Sequence, residues 1–378
     1  MKRPMLKHDK TIIKTSKVWV VKIGSALLTH PQAGLNNDVI AHLVDQIMGL
    51  KQQGITVVLV SSGSIAEGLR RLQITKRPKE VHNLQAAAAA GQMGLVHSYA
   101  LEFKRHDAVC AQILLTHSDL ANRMRYLNAR RTIQTLLEMN AIPIVNENDS
   151  VVTEEIRADN DTLAALVANL IEADALLILT DQNGLYTTDP RVDKRAELVH
   201  LGEAGDPDLS KMAGEGGALG TGGMVTKLNA AQKAARSGTL TVIVNGRQNN
   251  ILQSVLDGKG VGTWLFPRHH KIAARKQWIA GQAKLSSQLM VDEGAAKVLQ
   301  NDGRSLLPIG IKKINGEFTR GDIVSVCKES GEEIARGIVN YTSTEARKII
   351  GRSSTDIGEI LGYTDDPEMI HRNNLVVY

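Results

Sequence analysis

Two lysines beside glycine-rich turns are the residues of this chain best suited to chemistry. Gly220-Thr221-Gly222-Gly223-Met224-Val225-Thr226-Lys227 is a glycine-rich loop that runs into a helical pattern and ends on a lysine. Lys22 lies at the end of an apolar run, just before Gly24. Glycines let backbone amides approach an anion closely, and a lysine beside them adds a mobile positive charge. Two such sites on one framework point to a protein that holds a polyphosphate and moves part of it. In phosphoryl transfer the charge spreads over the equatorial oxygens of the moving group, so catalysis is mainly positioning and neutralisation. Lys22 and Lys227 would supply cations from opposite ends of the donor, and amides near Gly24 and Gly63 would form an anion cradle. Asp161, in Asp159-Asn160-Asp161 at a helix start, would hold both ammonium groups, although that tripeptide alone reads as a helix N-cap.

No histidine or cysteine accompanies these clusters as a general base. An alcohol acceptor usually needs one, whereas a carboxylate, with a reference pKa of about 4.3, arrives deprotonated. The chain therefore leans towards a carboxylate or phosphate acceptor. Neither a P-loop, a dinucleotide Gly-x-Gly-x-x-Gly nor a nucleophile elbow is present. The eleven histidines show no ligand spacing beyond the adjacent His269-His270, which reads as polar surface.

The elements that must position these groups alternate from residue 18 to about 266. Short apolar runs at 18–23, 56–60, 108–115, 142–145, 175–179 and 240–244 read as buried parallel strands. Helical spacing fills 38–53, 80–105, 121–139, 161–172 and 224–237. Strand-helix alternation predicts βαβ units with right-handed crossovers and a sheet covered on both faces. The run 86–90 is all alanine, and with Gly91 and Gly94 beside it the helix can pack closely on a neighbour. Polar clusters follow three of the runs: Ser61-Ser62-Gly63-Ser64, Asn146-Glu147-Asn148-Asp149 and Thr180-Asp181-Gln182-Asn183-Gly184. Each alone reads as a turn. Together with Lys22 they predict one shared site beyond the carboxyl ends of the strands.

The net charge of +5 resides in the first 17 residues, whose six basic side chains face one acid and leave 39 of each sign behind. Residues 1–16 are expected to be a solvated basic extension. No stretch approaches the roughly 18 apolar residues of a membrane span. Cys110 and Cys327 form neither a disulfide framework nor a zinc site, which suits a reducing cytoplasm. After Phe266-Pro267 a basic, helix-like connector (268–284) leads into residues 285–368, where short β-type stretches alternate with Gly-containing turns. That pattern predicts a second, small, mostly β domain, followed by a tail at 369–378.

These motifs, in order, resemble the glutamate 5-kinase branch of the amino acid kinase family over nearly the whole chain. The matching segments are Val20-Val21-Lys22-Ile23-Gly24-Ser25, Ser61-Ser62-Gly63, Leu127-Asn128-Ala129-Arg130, Val145-Asn146-Glu147-Asn148-Asp149, Asp159-Asn160-Asp161, Leu179-Thr180-Asp181-Gln182-Asn183-Gly184-Leu185-Tyr186, Asp189-Pro190-Arg191 and the loop 220–227. Residues 285–368 are similar to the family's C-terminal PUA domain, with Val291-Asp292-Glu293-Gly294-Ala295 and Phe318-Thr319-Arg320-Gly321-Asp322 as landmarks. The resemblance implies a three-layer α/β/α sandwich at residues 17–267, followed by PUA. It also implies ATP-dependent phosphorylation of the γ-carboxylate of L-glutamate, the first step of proline synthesis.

By position, Lys22, Gly24, Thr180, Asp181, Thr221, Gly222, Gly223, Met224, Val225, Thr226 and Lys227 would contact ATP. Ser62, Gly63, Asp149 and Asn160 would bind glutamate, with Asp149 suited to the α-ammonium group. Lys22 and Lys227 would stabilise the transition state, with Asp161 orienting them. Mg²⁺ would bridge the phosphates without a full protein cage, its ligands unassigned. The family adds feedback inhibition by proline, a homo-oligomer and a glutamyl phosphate reductase as the partner for the labile product. Two departures stand out: the tail before Lys17 is long, and the loop 151–158 is short, with Ala158 where a glycine is usual.

The nearest rival is a family member acting on acetylglutamate, aspartate or a phosphorylated acceptor. Acetylglutamate has no free ammonium group for Asp149. A rival from another class is an RNA-binding protein, since PUA modules often bind RNA. Residues 285–378 carry 11 basic and 14 acidic side chains, which argues against it despite the small patch Lys312, Lys313 and Arg320.

Overall fold

The computed structural model describes residues 9–30, 34–151, 160–214, 223–268, 279, 287–364 and 366–378, without the side chains of His30 and Arg123. The chain divides into two compact units, Met1–His269 and His270–Tyr378. In chain order the first unit carries strands β1 (Val18–Ile23), β2 (Thr29–His30), β3 (Gly34–Leu35), β4 (Thr56–Ser61), β5 (Cys110–Leu115), β6 (Ile142–Glu147), β7 (Ala175–Thr180), β8 (Leu201–Glu203), β9 (Leu240–Asn245) and β10 (Thr263–Phe266). Its helices are α1 (Ser25–Leu28), α2 (Asn37–Gln52), α3 (Ser64–Arg71), α4 (Val81–Lys104), α5 (His117–Ala121), α6 (Arg123–Glu138), α7 (Asn160–Leu170), α8 (Pro207–Met212), α9 (Met224–Ala234) and α10 (Ile251–Leu256).

Eight of these strands form one sheet in the order β5-β6-β4-β1-β7-β9-β10-β8. The six from β5 to β9 run parallel, as their continuous apolar composition predicts. β10 then pairs antiparallel with β9 and carries β8 at the edge. Side-chain alternation divides the core between the two faces. Trp19, Val21 and Ile23 of β1 pack with Leu43 and Ile47 of α2, Leu95 and Tyr99 of α4, and Leu252 of α10. Val20, with Val58, Ile178 and Ile243, packs on the opposite face against Ala164 and Ala168 of α7 and Ala230 and Ala231 of α9. The result is the expected three-layer α/β/α sandwich.

Several elements differ from their sequence patterns. The basic extension is structured where it is described: Lys10–Thr15 forms a 3₁₀ turn and Ile13, 1% exposed, enters the core. Two adjacent isoleucines among lysines and threonines are too weak a pattern to announce a turn. α3 gave no signal either, being eight residues long with a glycine inside it. That glycine has a purpose. A Cβ at Gly68 would lie 1.6 Å from the Ala87 carbonyl oxygen, and one at Gly91 would lie 1.9 Å from that of Ser64. The alanine- and glycine-rich stretch of α4 therefore packs backbone to backbone on α3.

The second unit has a five-stranded sheet, β12-β11-β13-β14-β15, built from β11 (Gln288–Val291), β12 (Ile311–Asn315), β13 (Ile323–Lys328), β14 (Glu333–Ile338) and β15 (Leu375–Val377). Val291, Val324, Val326, Ile334 and Tyr341 lie in its core. The expected tail is part of this body: Met369 and Ile370 are fully buried and β15 pairs with β14. A last short strand is legible only from its partner, since three alternating residues make no period. Arg320 is paired to Asp366 at 3.0 Å and Lys312 stands 3.8 Å from Asp292, so part of the small basic patch is neutralised. Of the expected helix-like connector at 268–284, only residues 268 and 279 lie among the described residues. Among the described residues no helix is long and apolar enough to cross a membrane.

Candidate active site

Each of the three charged residues at the centre of the site occupies a position that its element reserves for the core. In β1, alternation places Lys22 on the same face as Val20, the face covered by α7 and α9. In α9 the buried stripe is Lys227, Ala230, Ala231 and Ala234, at helical spacing. In α7 it is Asp161, Ala164, Ala165 and Ala168. The charged residue stands in the first turn of each helix, and the N-terminal ends of both helices meet at the carboxyl edge of the sheet.

The geometry is a triad around one carboxylate. Lys22 Nζ lies 2.5 Å from Asp161 Oδ1, and Lys227 Nζ lies 3.2 Å from Asp161 Oδ2. Thr226 Oγ1 donates to the same Oδ2 at 2.9 Å. Asp161 is completely buried, and the two lysines are 6% and 5% exposed, so none of the three charges is solvated on its own. Burial alone would push the Asp161 carboxyl up. The two ammonium groups and the Thr226 hydroxyl outweigh it and hold the carboxyl below the usual carboxylate range. The triad keeps one surplus positive charge at the carboxyl edge, beside the N-terminal end of α9, where an anion is favoured.

A neutral polar network extends from the residue before Asp161. Asn160 Nδ2 donates to Ser61 O and Ser62 Oγ, both at 2.9 Å, and to Asn146 Oδ1 at 3.0 Å. Asn146 Nδ2 in turn donates to Gln92 Oε1 at 2.8 Å and approaches Ser64 Oγ at 3.4 Å. Ser64, at the start of α3, donates to Asp149. Burial pushes the Asp149 carboxyl up to about 6, against that hydrogen bond. Beside Asp149 lies a cavity of about 380 Å³ bounded by α4, β5 and the segment after β6.

The three polar clusters and Lys22 do share one edge: β4, β6, β1 and β7 are parallel neighbours in the sheet, and the clusters follow their ends. Thr180 is buried at the end of β7, its hydroxyl 3.2 Å from the exposed Asp181. Gly223 caps α9, Met224 and Val225 form its first turn, and Thr221 and Gly222 lie outside the described residues. Residues 152–158 of the short loop also lie outside them, as does Asp159. One part of the expected anion cradle is narrowed to the neighbours of Gly24. The Gly24 amide donates to Leu179 O at 3.2 Å, so it is unavailable to an anion cradle. A strand-end amide next to a parallel neighbour continues the ladder. Gly63, at φ +106°, is the N-cap of α3. Asn146, Ser64 and Gln92 were not singled out individually, since uncharged side chains in turns and alanine-rich helices carry no distinctive spacing. Among the described residues no three His, Cys, Asp or Glu side chains come together as a metal cluster.

Comparison with known proteins places this arrangement. The sequence profile of the amino acid kinase family matches residues 17–245, and that of the PUA domain matches residues 287–361. The chain is 55% identical over 370 residues to the glutamate 5-kinase of Chromohalobacter salexigens, covering 98% of both chains. It is 54% identical over 368 residues to that of Hydrogenovibrio crunogenus, covering 97% of this chain and 98% of the relative. With the glutamate 5-kinase of Methylococcus capsulatus it shares 57% over 360 residues, 95% of this chain and 96% of that one. Likeness of this degree, end to end, leaves a single conclusion: the chain belongs to the amino acid kinase family and carries a PUA domain behind its kinase unit.

Proposed function

We propose that the first unit transfers the γ-phosphoryl group of ATP to the γ-carboxylate of L-glutamate, giving L-glutamyl 5-phosphate and ADP. The observation that carries this reading is the pair of buried ammonium groups held on one carboxylate, Lys22 and Lys227 on Asp161. Relatives named glutamate 5-kinase support the choice of acceptor. In the reaction a γ-carboxylate oxygen forms the new bond to phosphorus. The bond from phosphorus to the β,γ-bridging oxygen breaks, and ADP leaves with that electron pair. The acceptor is already ionised, so no proton has to be removed and no general base is needed. Lys22 and Lys227 neutralise charge on the moving group and its oxygens, while Asp161 fixes both ammonium groups before the nucleotide arrives.

Thr180, Asp181 and the start of α9 (Gly223, Met224, Val225) belong on this reading to the nucleotide end. Ser62, Gly63, Asn160 and Asp149 belong to the acceptor end. The Mg²⁺ expected with the nucleotide finds no cage among the described side chains, because both oxygens of Asp161 face ammonium groups. It would arrive on the phosphates and neutralise charge there. Proline, a cyclic amino acid with the same α-carboxylate, would compete for the acceptor end. A reductase would take the labile acyl phosphate, and the catalyst would be a homo-oligomer of the cytoplasm, where its two free thiols are suited to reducing conditions.

Trapping acyl phosphate with hydroxylamine tests the acceptor. The protein is offered ATP and Mg²⁺ with glutamate, acetylglutamate or aspartate in turn. Hydroxamate is expected from glutamate alone, and hydroxamate from another acceptor but not from glutamate would overturn the proposal.

Asp149 adds a pH signature. Its carboxylate is the form that pairs with an α-ammonium group, and protonation below about pH 6 removes it. The KM for glutamate is expected to rise about tenfold per pH unit below that point, with kcat and the KM for ATP little changed. Asp149→Asn is expected to hold KM at its acid value and to abolish the pH dependence. A wild-type KM that is flat on both sides of pH 6 contradicts the assignment.

A further inference from the structure

The cavity beside Asp149 has a buried donor on its wall that the reaction above leaves unused. Gln92, on α4, lines this cavity together with Met93, Leu114, Glu147 and Asp149, and is only 8% exposed. The hydrogen-bond network fixes which end of its amide is which. Asn160 Nδ2 donates to the Ser61 carbonyl and to Asn146 Oδ1, and Asn146 Oδ1 also accepts from the Glu147 amide at 2.9 Å. The group that Asn146 turns to Gln92 is therefore its NH₂, and it meets Gln92 Oε1 at 2.8 Å. The other end of the Gln92 amide is then Nε2, a donor, and among the described residues it has no hydrogen-bond partner. Buried donors left unpaired are costly and uncommon, so each calls for a reason.

The position of this donor supplies one. Ser64 touches both Asn146, the partner of the Gln92 amide, and Asp149, and Gln92 and Asp149 line the same cavity. The head of an α-amino acid is an ammonium group beside a carboxylate. It needs an acidic acceptor and, next to it, an N–H donor. We infer that Gln92 is a specificity-determining residue of the acceptor subsite, donating Nε2–H to the α-carboxylate of an amino acid whose ammonium group is held by Asp149. This inference rests on the proposed acceptor chemistry and goes beyond it by naming the group that reads the α-carboxylate.

The test compares two ligands by titration calorimetry on the full chain. L-Glutamate has both head groups, whereas 4-aminobutanoate keeps the ammonium and the reacting carboxylate but lacks the α-carboxylate. In Gln92→Leu the Kd for glutamate is expected to rise roughly 10- to 100-fold, the loss of one hydrogen bond to a charged group, while that for 4-aminobutanoate stays within about twofold. Gln92→Glu keeps an oxygen for Asn146 and replaces the donor with a carboxylate. It is expected to lose the same selectivity even if the leucine variant folds poorly. Equal weakening of both ligands, or no change in either, overturns the inference, the first because Gln92 then only supports the fold. Hydroxamate formation from glutamate by the wild type separates the two claims. If it is present and selectivity is unaltered, Gln92 alone is misassigned. If it is absent, the proposed acceptor falls and this assignment with it.

Discussion

Lys227→Ala is expected to fold like the wild type and to lose at least about 10² in glutamate-dependent ADP formation, on the order of 3 kcal/mol of transition-state stabilisation. The fold should survive because Asp161 keeps Lys22 at 2.5 Å and the Thr226 hydroxyl at 2.9 Å, so no buried charge is left alone. Turnover should not survive, because the remaining ammonium group neutralises only one end of the moving phosphoryl group. The measurement is coupled ADP release at saturating glutamate and ATP, with thermal unfolding as the control for folding. Turnover within a few-fold of wild type would take Lys227 out of the reaction.

Asp161→Asn should be worse in a different way. It leaves two ammonium groups in a buried site without their counter-charge, which is expected to cost roughly 3–5 kcal/mol of stability as well as turnover. The pH dependence follows from the sign of the shift. The Asp161 carboxyl is held below its ordinary value in the folded protein. Its contribution is therefore fully present above the unfolded-state pKa of about 3.9 and fades as pH falls through the lower folded value. The gap in unfolding free energy between wild type and Asp161→Asn is expected to be constant near neutrality and to close in acid. A gap that widens on acidification would show that the carboxylate is not the partner of the lysines.

Much of this protein could be read before any coordinates. All six parallel strands lie on the apolar runs that predict them, and five are buried almost throughout, as strands covered on both faces must be. The run at 108–115 reads as buried too, but β5 is the edge strand and is partly exposed. The three charged residues were legible too, since Lys22 interrupts an apolar run, Asp161 stands at a helix start and Lys227 follows a glycine-rich loop. Neutral groups were harder to see. Gln92 sits in an alanine-rich helix that reads as scaffold, while Asn146 near the end of β6 and Ser64 at the start of α3 belong to polar clusters whose composition reads as turns. Their importance comes from partners far along the chain, 82 positions in the case of Asn146 and Ser64, and no local pattern encodes that. Ile13 and β15 were missed because each depends on burial by distant chain.

The contact between α3 and α4 bears on how such a catalyst can change. Where main chains touch, with an added methyl 1.6 Å from a carbonyl oxygen, a gradual widening of the gap is not available. A lineage shifting towards a bulkier acceptor would have to reshape the opposite wall of the pocket and leave this crossing alone. The side of the cavity beside Asp149 that α4 supplies, with Ala88, Ala89 and Gln92, is thereby held in place by its crossing with α3.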